Sequence, residues 1–556
     1  MKGRGNTSWG AAVDGNAATD KKPYNITLKG DEGATLIDGL DYKEKKWCLI
    51  ANNYADFSGV NNYMAYTMYQ EIGGNSAMHV EPVDLYVNGE YRGIYLVTDK
   101  VEIGTNRVNV TAPKYSTAKG TPESQVRVIV ENYDSNFTDP TVLYWQGAKN
   151  GATVTPAAND EALKAGVLAY AYAAEQTLKK AGGYVLEVSH QYTDEAGWFI
   201  TKHGVMISFK EPERPTQAQV QAAAIYVQEF EDALYSDTGY NSLGKHYSDY
   251  LDIESLAKTY LLSCFTGQND FLDCSDYLNL KPTYESGKIT GGKLMGGPAW
   301  DYDVSNYATN RLYADKSSTN VNGNQAWISQ LLKHGDFTDA LYKLKTGAFA
   351  DAVESMTTKV EAYGKNVAAS LAMDELMWNR NAIAQQSAQQ QYDRQKTIFL
   401  TRAETTWDAV WNDAALKGVS VAEDKETGEI VATANTTGDV TYKWFKLDET
   451  NKTKATECAG ATKNTYTPGE AGTYFVAVTG TAMNGKDVPG TMISAAVKSE
   501  GHSYSDTWTS DENNHWHNCT VNGHTDKSDL AEHSWNGGVV TTKPTCTTEG
   551  VKTYTC

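Results

Sequence analysis

The sequence is short of the residues that would cross-link it with disulfides, hold it in a membrane or bind it to nucleic acid. Its 556 residues include only 7 cysteines, and no run of about 18 consecutive apolar residues occurs. Basic residues are outnumbered, 49 against 69 acidic residues, which gives a net charge of −20. These shortages exclude a disulfide scaffold, a membrane span and a nucleic-acid partner held by a broad basic surface.

Apolar and aromatic residues, in contrast, are plentiful. Hydrophobic residues make up 40% of the chain, and they include 35 Tyr and 13 Trp. This is enough to build sizeable cores, and it excludes disorder for most of the chain. The composition changes after Gly418, to Thr and Val, and after Gly501, to His, Trp and Cys. We therefore expect three domains, at residues 1–415, 416–500 and 501–556.

The region 1–415 combines a β-rich start with a mostly helical end. Asn88 and Gly89 lie between two apolar runs, and this dipeptide favours a tight hairpin because it accepts positive φ. Apolar residues recur at helical spacing in four places, so we predict helices over 56–73, 216–234, 252–265 and much of 324–412. For 216–234 we expect an amphipathic helix with a solvent-facing side of Gln and Glu.

The two C-terminal regions read as β-rich. Alternating residues around a central Trp444 predict a β-sandwich over 416–500. In 501–556, His515, His517 and Cys519 would point to one side of a strand and form half of a structural Zn²⁺ site. A disulfide module and a solvated His-rich stalk are the alternatives.

The start of the chain and Lys22 are candidates for binding phosphate. Residues 2–9 read Lys-Gly-Arg-Gly-Asn-Thr-Ser-Trp, and the two glycines let backbone N–H groups approach an anion. Lys2, Arg4 and Ser8 would add charge and hydrogen bonds. Lys22 stands just ahead of a predicted strand, where it would either reach the phosphates or keep a strand edge soluble. For residues 2–9 a tight surface turn is the alternative.

Three aspartates form the main acidic constellation. Asp270 follows the helix predicted over 252–265, an unfavourable place for a carboxylate because the helix dipole is negative there. Asp301 and Asp303 alternate on a segment that we expect to be extended, so they would face the same side. Paired carboxylates favour a cation, and Mg²⁺ prefers oxygen ligands plus phosphate. Solvated loop aspartates are the alternative.

The order and spacing of these motifs resemble the CotH family of atypical protein kinases over about residues 1–415. The resemblance rests on residues 4–9 (Arg-Gly-Asn-Thr-Ser-Trp), 22–24 (Lys-Pro-Tyr), 47–51 (Trp-Cys-Leu-Ile-Ala), 85–96 (Leu-Tyr-Val-Asn-Gly-Glu-Tyr-Arg-Gly-Ile-Tyr-Leu), 182–187 (Gly-Gly-Tyr-Val-Leu-Glu), 269–270 (Asn-Asp) and 300–303 (Trp-Asp-Tyr-Asp). It implies an α+β, kinase-like two-lobed fold, with a β-rich N-terminal lobe and a mostly helical C-terminal lobe. It also implies ATP with Mg²⁺ or Mn²⁺ as cofactors, and phosphate transfer to Ser or Thr of extracytoplasmic proteins.

The resemblance also implies roles for individual residues. Asp270 resembles the catalytic aspartate, and Asp301 resembles a metal-binding aspartate. Asp303 would be a further metal ligand, and either Asp276 or Asn279 would stand where the family has a metal-binding Asn.

The nucleotide-binding residues follow in the same way. Residues 4–8, with Asn6 at their centre, resemble a phosphate-facing turn. Lys22 resembles the phosphate-binding lysine, for which Glu71 and Glu131 are candidate partners. For Glu71, a place on a solvated helix face is the alternative.

The C-terminal regions resemble a bacterial immunoglobulin-like domain and the His/Trp/Cys-rich repeats of surface proteins from Gram-positive gut bacteria. We therefore expect an extracellular or cell-surface protein whose partners are ATP and a Ser/Thr protein substrate, with cell-wall or host-surface ligands as further partners. The alternative is an adhesin whose kinase-like domain binds without transferring phosphate. Because no leader follows Met1 and a repeat breaks off at Cys556, we expect the natural chain to extend at both ends.

Overall fold

A computed structural model shows a mixed α/β protein. The structure describes residues 1–4, 21–30, 32–52, 56–76, 78–112, 126–130, 142–146, 182–188, 197–201, 203, 205–215, 217–268, 271, 274–285, 288–307, 312, 326–378, 386–483, 490–521 and 523–556.

The N-terminal part is a five-stranded antiparallel sheet in the order β1-β2-β3-β5-β4. Its strands are β1 (Lys2–Gly3), β2 (Tyr24–Thr27), β3 (Lys46–Ile50), β4 (Val80–Val87) and β5 (Glu90–Asp99). Asn88 and Gly89 join β4 to β5 with φ of 53° and 83°, which confirms the predicted hairpin. Alternate residues of β5 face two cores: Leu96 joins the main core, and Tyr95 joins a smaller one on the opposite face.

Helix α1 (Val60–Glu71) packs into the main core beside this sheet. Val60, Met64 and Met68 are fully buried, as their helical spacing predicted. The helix ends before Gly73, which adopts the left-handed conformation that terminates helices.

A second sheet has the order β14-β11-β8-β10-β9-β6-β7, antiparallel except between β6 and β9. Its strands are β6 (Val126–Val130), β7 (Val142–Gln146), β8 (Tyr184–Val188), β9 (Gly197–Ile200), β10 (Met206–Glu211), β11 (Asp276–Leu280) and β14 (Leu294–Gly296). Between β11 and β14 lies a hairpin of β12 (Thr283–Glu285) and β13 (Lys288–Gly291).

Two core helices lie between β10 and β11 in the sequence. In α2 (Gln217–Leu234), the expectation of a solvent-facing polar side is wrong: Gln228 and Glu231 are fully buried. Glu231 accepts hydrogen bonds from the Thr201 hydroxyl (2.6 Å) and the Trp327 indole (2.9 Å), so partners within the protein replace water. Helix α3 (Ile253–Thr266) confirms the prediction for 252–265.

The helical region ahead of residue 412 is also confirmed. It contains α4 (Ala326–Leu331), α5 (Gly335–Thr346), α6 (Ala348–Trp378) and α7 (Ala388–Thr401). Of these, α6 is the longest and runs back against β5 and α1.

Residues 416–500 form two facing sheets. One consists of β15 (Val419–Glu423), β16 (Ile430–Ala434) and β19 (Thr465–Tyr466), and the other of β17 (Thr441–Leu447), β18 (Ala455–Glu457), β20 (Gly472–Thr479), β21 (Thr491–Ile493) and β22 (Val497–Ser499). Trp444 is fully buried between them and stacks on Tyr466 with ring centroids 6.0 Å apart.

The expected boundary near residue 415 is a packed segment. Leu416 and Val419 are buried, and the backbone N–H of Ile493 donates to the Lys333 carbonyl at 2.9 Å. The facing sheets and the helices therefore share one apolar core. The domain limits themselves stay predictions.

The last region consists of a three-stranded sheet and a hairpin. The strands are β23 (Tyr504–Ser510), β24 (Asn514–Cys519), β25 (Lys527–Glu532), β26 (Val539–Thr542) and β27 (Val551–Thr553). Cys519, Cys546 and Cys556 form no disulfide in the structure, so the disulfide considered for residues 501–556 is not present. The expected half-site of His515, His517 and Cys519 is wrong, because His515 and Cys519 lie in two different side-chain clusters and His517 is in neither.

Within the described ranges, no helix is both long enough and apolar enough to cross a lipid bilayer.

Candidate functional site

The Trp-Asp-Tyr-Asp motif (residues 300–303) follows β14 and packs against α1. Trp300 and Tyr302 are buried, whereas Asp301 and Asp303 are partly exposed. The Trp300 ring stacks on Tyr66 with centroids 6.0 Å apart, and the Tyr302 hydroxyl lies 2.9 Å from the Ser263 hydroxyl on α3. The aromatic members thus anchor the motif while its carboxylates remain accessible.

Helix α1 holds the motif by its backbone. Asn62 Oδ1 accepts the Tyr302 N–H at 2.9 Å, and Asn61 Nδ2 donates to the Asp303 carbonyl at 3.0 Å. The sequence alone gave neither asparagine a role in holding the motif. Two adjacent polar residues on a helix whose other inward residues are apolar would have been the signal for them.

Asp301 adopts the left-handed backbone conformation, with φ of 65°. This costs a non-glycine residue about 1–2 kcal/mol. Its N–H donates to the Tyr66 hydroxyl at 3.1 Å, and its carbonyl accepts from Gln268 Nε2. Because of this conformation the segment is not extended, and the alternation expected for the two aspartates does not apply. Backbone strain maintained by tertiary contacts is concentrated at functional sites.

The Asp301 carboxylate is one end of a chain of polar contacts. The Ser275 hydroxyl donates to Asp301 Oδ2 at 3.0 Å, and the Ser275 N–H donates to Glu187 Oε1 at 2.8 Å. The other oxygen of Glu187 pairs with Lys210 Nζ at 2.7 Å. Within the described part of the chain, Oδ1 of Asp301 accepts no hydrogen bond. One oxygen is therefore held by Ser275, and the other makes no hydrogen bond with the described residues.

Arg4 lies beside this motif. Its guanidinium lies over the Trp300 ring, 4.9 Å from the centroid. The backbone N–H of Arg4 donates to the Pro23 carbonyl at 3.3 Å. The structure therefore brings Arg4 to the residue that precedes Asp301. Lys2 is exposed on β1, opposite Asn25. Two other expected phosphate-binding residues, Asn6 and Ser8, lie outside the described residues.

Lys21, the residue before the candidate Lys22, makes a buried ion pair. Lys21 pairs with Asp374 on α6 at 2.6 Å, and both side chains are completely buried. Lys21 Nζ also donates to the Ile94 carbonyl and lies 4.6 Å from the centre of the Tyr95 ring. Lys22 is half-buried, and its carbonyl accepts the Tyr95 hydroxyl at 3.0 Å. Lys21 thus ties the N-terminal sheet to the C-terminal helices.

The partners proposed for Lys22 lie elsewhere. Glu71 pairs with Lys359 on α6, so its carboxylate is engaged at the α1–α6 contact. Glu131 lies outside the described residues, as does Asp270.

The alternatives Asp276 and Asn279 differ in their surroundings. Asp276 begins β11 next to Ser275, and burial together with the nearby Asp276 charge raises the pKa of Tyr302. Asn279 is buried and donates to the Gly297 carbonyl at 3.1 Å, a contact that holds the turn before the motif. Asp276 thus directly follows Ser275, the residue that donates to Asp301, whereas Asn279 contacts the turn before the motif.

The three expected metal-binding carboxylates do not converge. Asp276, Asp301 and Asp303 form no group whose ligand atoms all lie within 4.8 Å of one another. Mg²⁺ in phosphoryl-transfer sites keeps several waters and binds one or two carboxylates plus phosphate oxygens. A site built on Asp301 fits this pattern, and a closed cage of protein ligands does not.

Residues 2–164 match the family model described as CotH kinase protein. The matched stretch contains Arg4, Lys22 and helix α1, and it ends before the Trp-Asp-Tyr-Asp motif. No curated protein matches the chain. The match supports the CotH family and kinase activity in general. The geometry adds that the CotH-matched helix α1 binds directly to the motif that lies outside the match.

Proposed function

We propose that this chain is an atypical protein kinase of the CotH type, which transfers the γ-phosphate of ATP to Ser or Thr of surface or coat proteins. The observation that carries the proposal is Asp301, whose backbone is held by Tyr66 and whose carboxylate is half fixed by Ser275. Arg4, from the family-matched segment, lies over the adjacent Trp300.

The residues around Asp301 fit Mg²⁺ and ATP. A carboxylate with one oxygen held and one available is a ligand type that Mg²⁺ accepts. Bound Mg²⁺ would draw charge from the phosphates as the γ-phosphoryl group leaves. Arg4 would place positive charge beside the phosphates, with Lys22 and residues 4–8 as further contacts. Asp303 and Asp276 would reach the ion directly or through water.

Catalysis then requires the chain to orient the acceptor. Phosphoryl transfer depends mainly on positioned groups and on stabilisation of developing charge. Asp270, four residues after α3, would accept the proton of the Ser or Thr hydroxyl. The buried contacts of Trp300, Tyr302 and Asn62 would keep Asp301 aligned during the reaction.

The wider organisation belongs to the same proposal. The five-stranded sheet with α1 would be the β-rich N-terminal lobe, and the helices up to about residue 412 the C-terminal lobe of a two-lobed kinase fold. Residues 416–500 would be an immunoglobulin-like spacer, and the protein would act outside the cell or at its surface.

Incubation of residues 1–556 with Mg²⁺, labelled ATP and a Ser/Thr-rich acceptor protein tests the function. We expect Asp301→Asn to lower label incorporation at least a hundredfold and to weaken Mg²⁺-dependent ATP binding. Asp270→Asn should lower incorporation similarly while leaving the Kd for ATP nearly unchanged. Asp41→Ala, an exposed aspartate of the same sheet region, is the matched control.

Two results would overturn the proposal. One is incorporation by Asp301→Asn above a tenth of that by the unmodified protein. The other is incorporation by neither protein although both bind a cell-wall or host-surface ligand, which would favour the adhesin. The exposed Trp508 and Trp535 of the last region are the observation that keeps this second function in view.

A further inference from the structure

The C-terminal sheet gathers two imidazoles and a thiol at the end that faces the sandwich. His502 precedes β23, Cys519 ends β24, and His524 lies in the turn before β25. Their ligand atoms all lie within 4.8 Å of one another. Cys519 Sγ and His524 Nδ1 are 3.8 Å apart, and the rings of His502 and His524 are 5.0 Å apart between centroids.

These distances suit one tetrahedral ion. With Zn–S and Zn–N bonds of about 2.3 and 2.0 Å, a sulfur and a nitrogen on the same Zn²⁺ lie about 3.5 Å apart. The Cys519–His524 separation of 3.8 Å needs only a small adjustment to reach that value. Imidazole and thiolate together select Zn²⁺ over Mg²⁺ or Ca²⁺, which prefer oxygen.

His502 supplies an independent observation. Only 2% of its side chain is exposed, yet neither ring nitrogen has a hydrogen-bond partner. Leaving such a group buried and unsatisfied costs about 1–3 kcal/mol. Nδ1 lies 3.5 Å from Asp526 Oδ2, which in turn accepts the Tyr504 hydroxyl at 2.6 Å. A carboxylate behind a metal-bound imidazole is the usual way of orienting such a ligand.

The sandwich leaves room for an ion at the same place. Gly428, in the β15–β16 turn, faces the two imidazoles: a Cβ there would lie 2.7 Å from His502 Nε2 and 2.7 Å from His524 Nδ1. Beside it, the N–H of Thr525 donates to the Glu426 carbonyl at 2.7 Å. The cluster therefore lies at the contact between the sandwich and the C-terminal sheet.

We propose that His502, Cys519 and His524 bind Zn²⁺, with water as fourth ligand, and that this ion fastens the C-terminal sheet to the β15–β16 turn of the sandwich. The ion would satisfy His502 and take up the Cys519 thiolate.

A second cluster at the opposite end of the sheet provides the comparison. His515, His533 and Cys556 also place their ligand atoms within 4.8 Å of one another, but Cys556 is exposed. We expect this cluster to bind the ion more weakly than the first, because it is open to water and not preorganised by burial.

Anaerobic titration of the full chain with Co²⁺, in the presence of reductant, tests the proposal. The first equivalent should produce tetrahedral d–d bands and a thiolate-to-cobalt charge-transfer band, both displaced by Zn²⁺. In Cys519→Ser the first equivalent should bind at least tenfold more weakly, because only the weaker cluster that contains Cys556 keeps a thiolate. Cys556→Ser, the matched control, should leave the first equivalent unchanged.

Limited proteolysis tests, independently of the absorption spectrum, whether the ion joins the C-terminal sheet to the sandwich. Zn²⁺ should protect the segment around residue 501 from limited proteolysis in the unmodified protein and in Cys556→Ser, and chelator should remove that protection. His524→Gln should behave like the chelated protein at all Zn²⁺ concentrations. Absence of a charge-transfer band at one equivalent, or its loss in Cys556→Ser with retention in Cys519→Ser, would overturn the proposal.

Discussion

The Trp-Asp-Tyr-Asp motif and the C-terminal sheet assemble their polar residues in opposite ways. The motif is held by α1, whose Tyr66 is 235 residues from Asp301 in the sequence. In the C-terminal sheet, His515 and Cys519 are four residues apart but belong to different clusters. Four residues along a strand span about 13 Å, too far for one ion with bonds near 2 Å. Residues that share a face are therefore not necessarily close enough to form one site.

The largest effect that we expect concerns the stability contributed by the Lys21–Asp374 pair, a contact between residues far apart in the sequence. Lys21→Met leaves the buried Asp374 charge without its partner, so the free energy of unfolding should fall by about 3–5 kcal/mol. Denaturant unfolding measures this loss. Lys22→Met should cost no more than about 1 kcal/mol. Equal losses in the two variants would mean that the Lys21–Asp374 pair does not hold the sheet to α6.

Asp56, just before α1, makes the stability of the protein depend on pH. Its buried carboxyl accepts the Ser58 hydroxyl at 3.0 Å and the Asn61 N–H at 2.9 Å, and burial raises its pKa to about 6. Since the pKa is higher in the folded state, the stabilising contribution is present below about pH 4 and is lost as the pH rises through 6. Relative to Asp56→Asn, the protein should lose about 2 kcal/mol between pH 4 and pH 7.

Urea unfolding of both proteins at several pH values across this range measures that difference. Taking it against Asp56→Asn removes the contributions of other titrating groups, such as the buried Glu229. A pH-independent difference between the two curves would contradict the raised pKa of Asp56.

A smaller effect addresses positioning at the motif. Tyr66→Phe removes the acceptor of the Asp301 N–H, and the loss of one buried hydrogen bond is worth about 1–3 kcal/mol. We expect kcat for phosphate transfer to fall about tenfold with little change in KM for the acceptor protein. Tyr63→Phe, the same change on the same helix, should leave kcat within a factor of about 2. A purely structural role would lower the melting temperature without changing kcat.

The smallest effect concerns His517, which the sequence analysis assigned to a zinc site and which the structure places outside both clusters. The His517 ring lies 3.9 Å from Trp508 between centroids and belongs to neither cluster. His517→Ala should therefore leave the first Co²⁺ equivalent and its affinity unchanged within a factor of about 2. Loss of the charge-transfer band in this variant would instead support the half-site predicted from His515, His517 and Cys519.

The secondary structure was largely predictable because local patterns determine it. Asn88 and Gly89 favour a turn with positive φ, and Val60, Met64 and Met68 repeat with the period of a helix. The failure at α2 has a tertiary cause. Glu231 looks like a surface residue in the sequence, but Thr201 and Trp327 replace water as its hydrogen-bond partners.

The candidate site was predictable only in part. Unusual local sequences pointed to the Trp-Asp-Tyr-Asp motif and to Arg4, which the structure brings together. The role of Lys22 stays a prediction. The adjacent Asn61 and Asn62 are a local signal for a polar contact of α1, but nothing local identifies the motif as their partner, because it lies more than 200 residues away.

The sequence by itself determined the strands, the helices and the chemical character of the motifs, because turn propensity, hydrophobic period and side-chain charge are local properties. Only the tertiary structure decided which residues meet. It paired Lys21 with Asp374, turned Asp301 into the left-handed conformation and divided the C-terminal imidazoles between two ends of one sheet. The physical reason is that these contacts depend on strand register and on buried hydrogen bonds between distant segments, which no short stretch of sequence specifies.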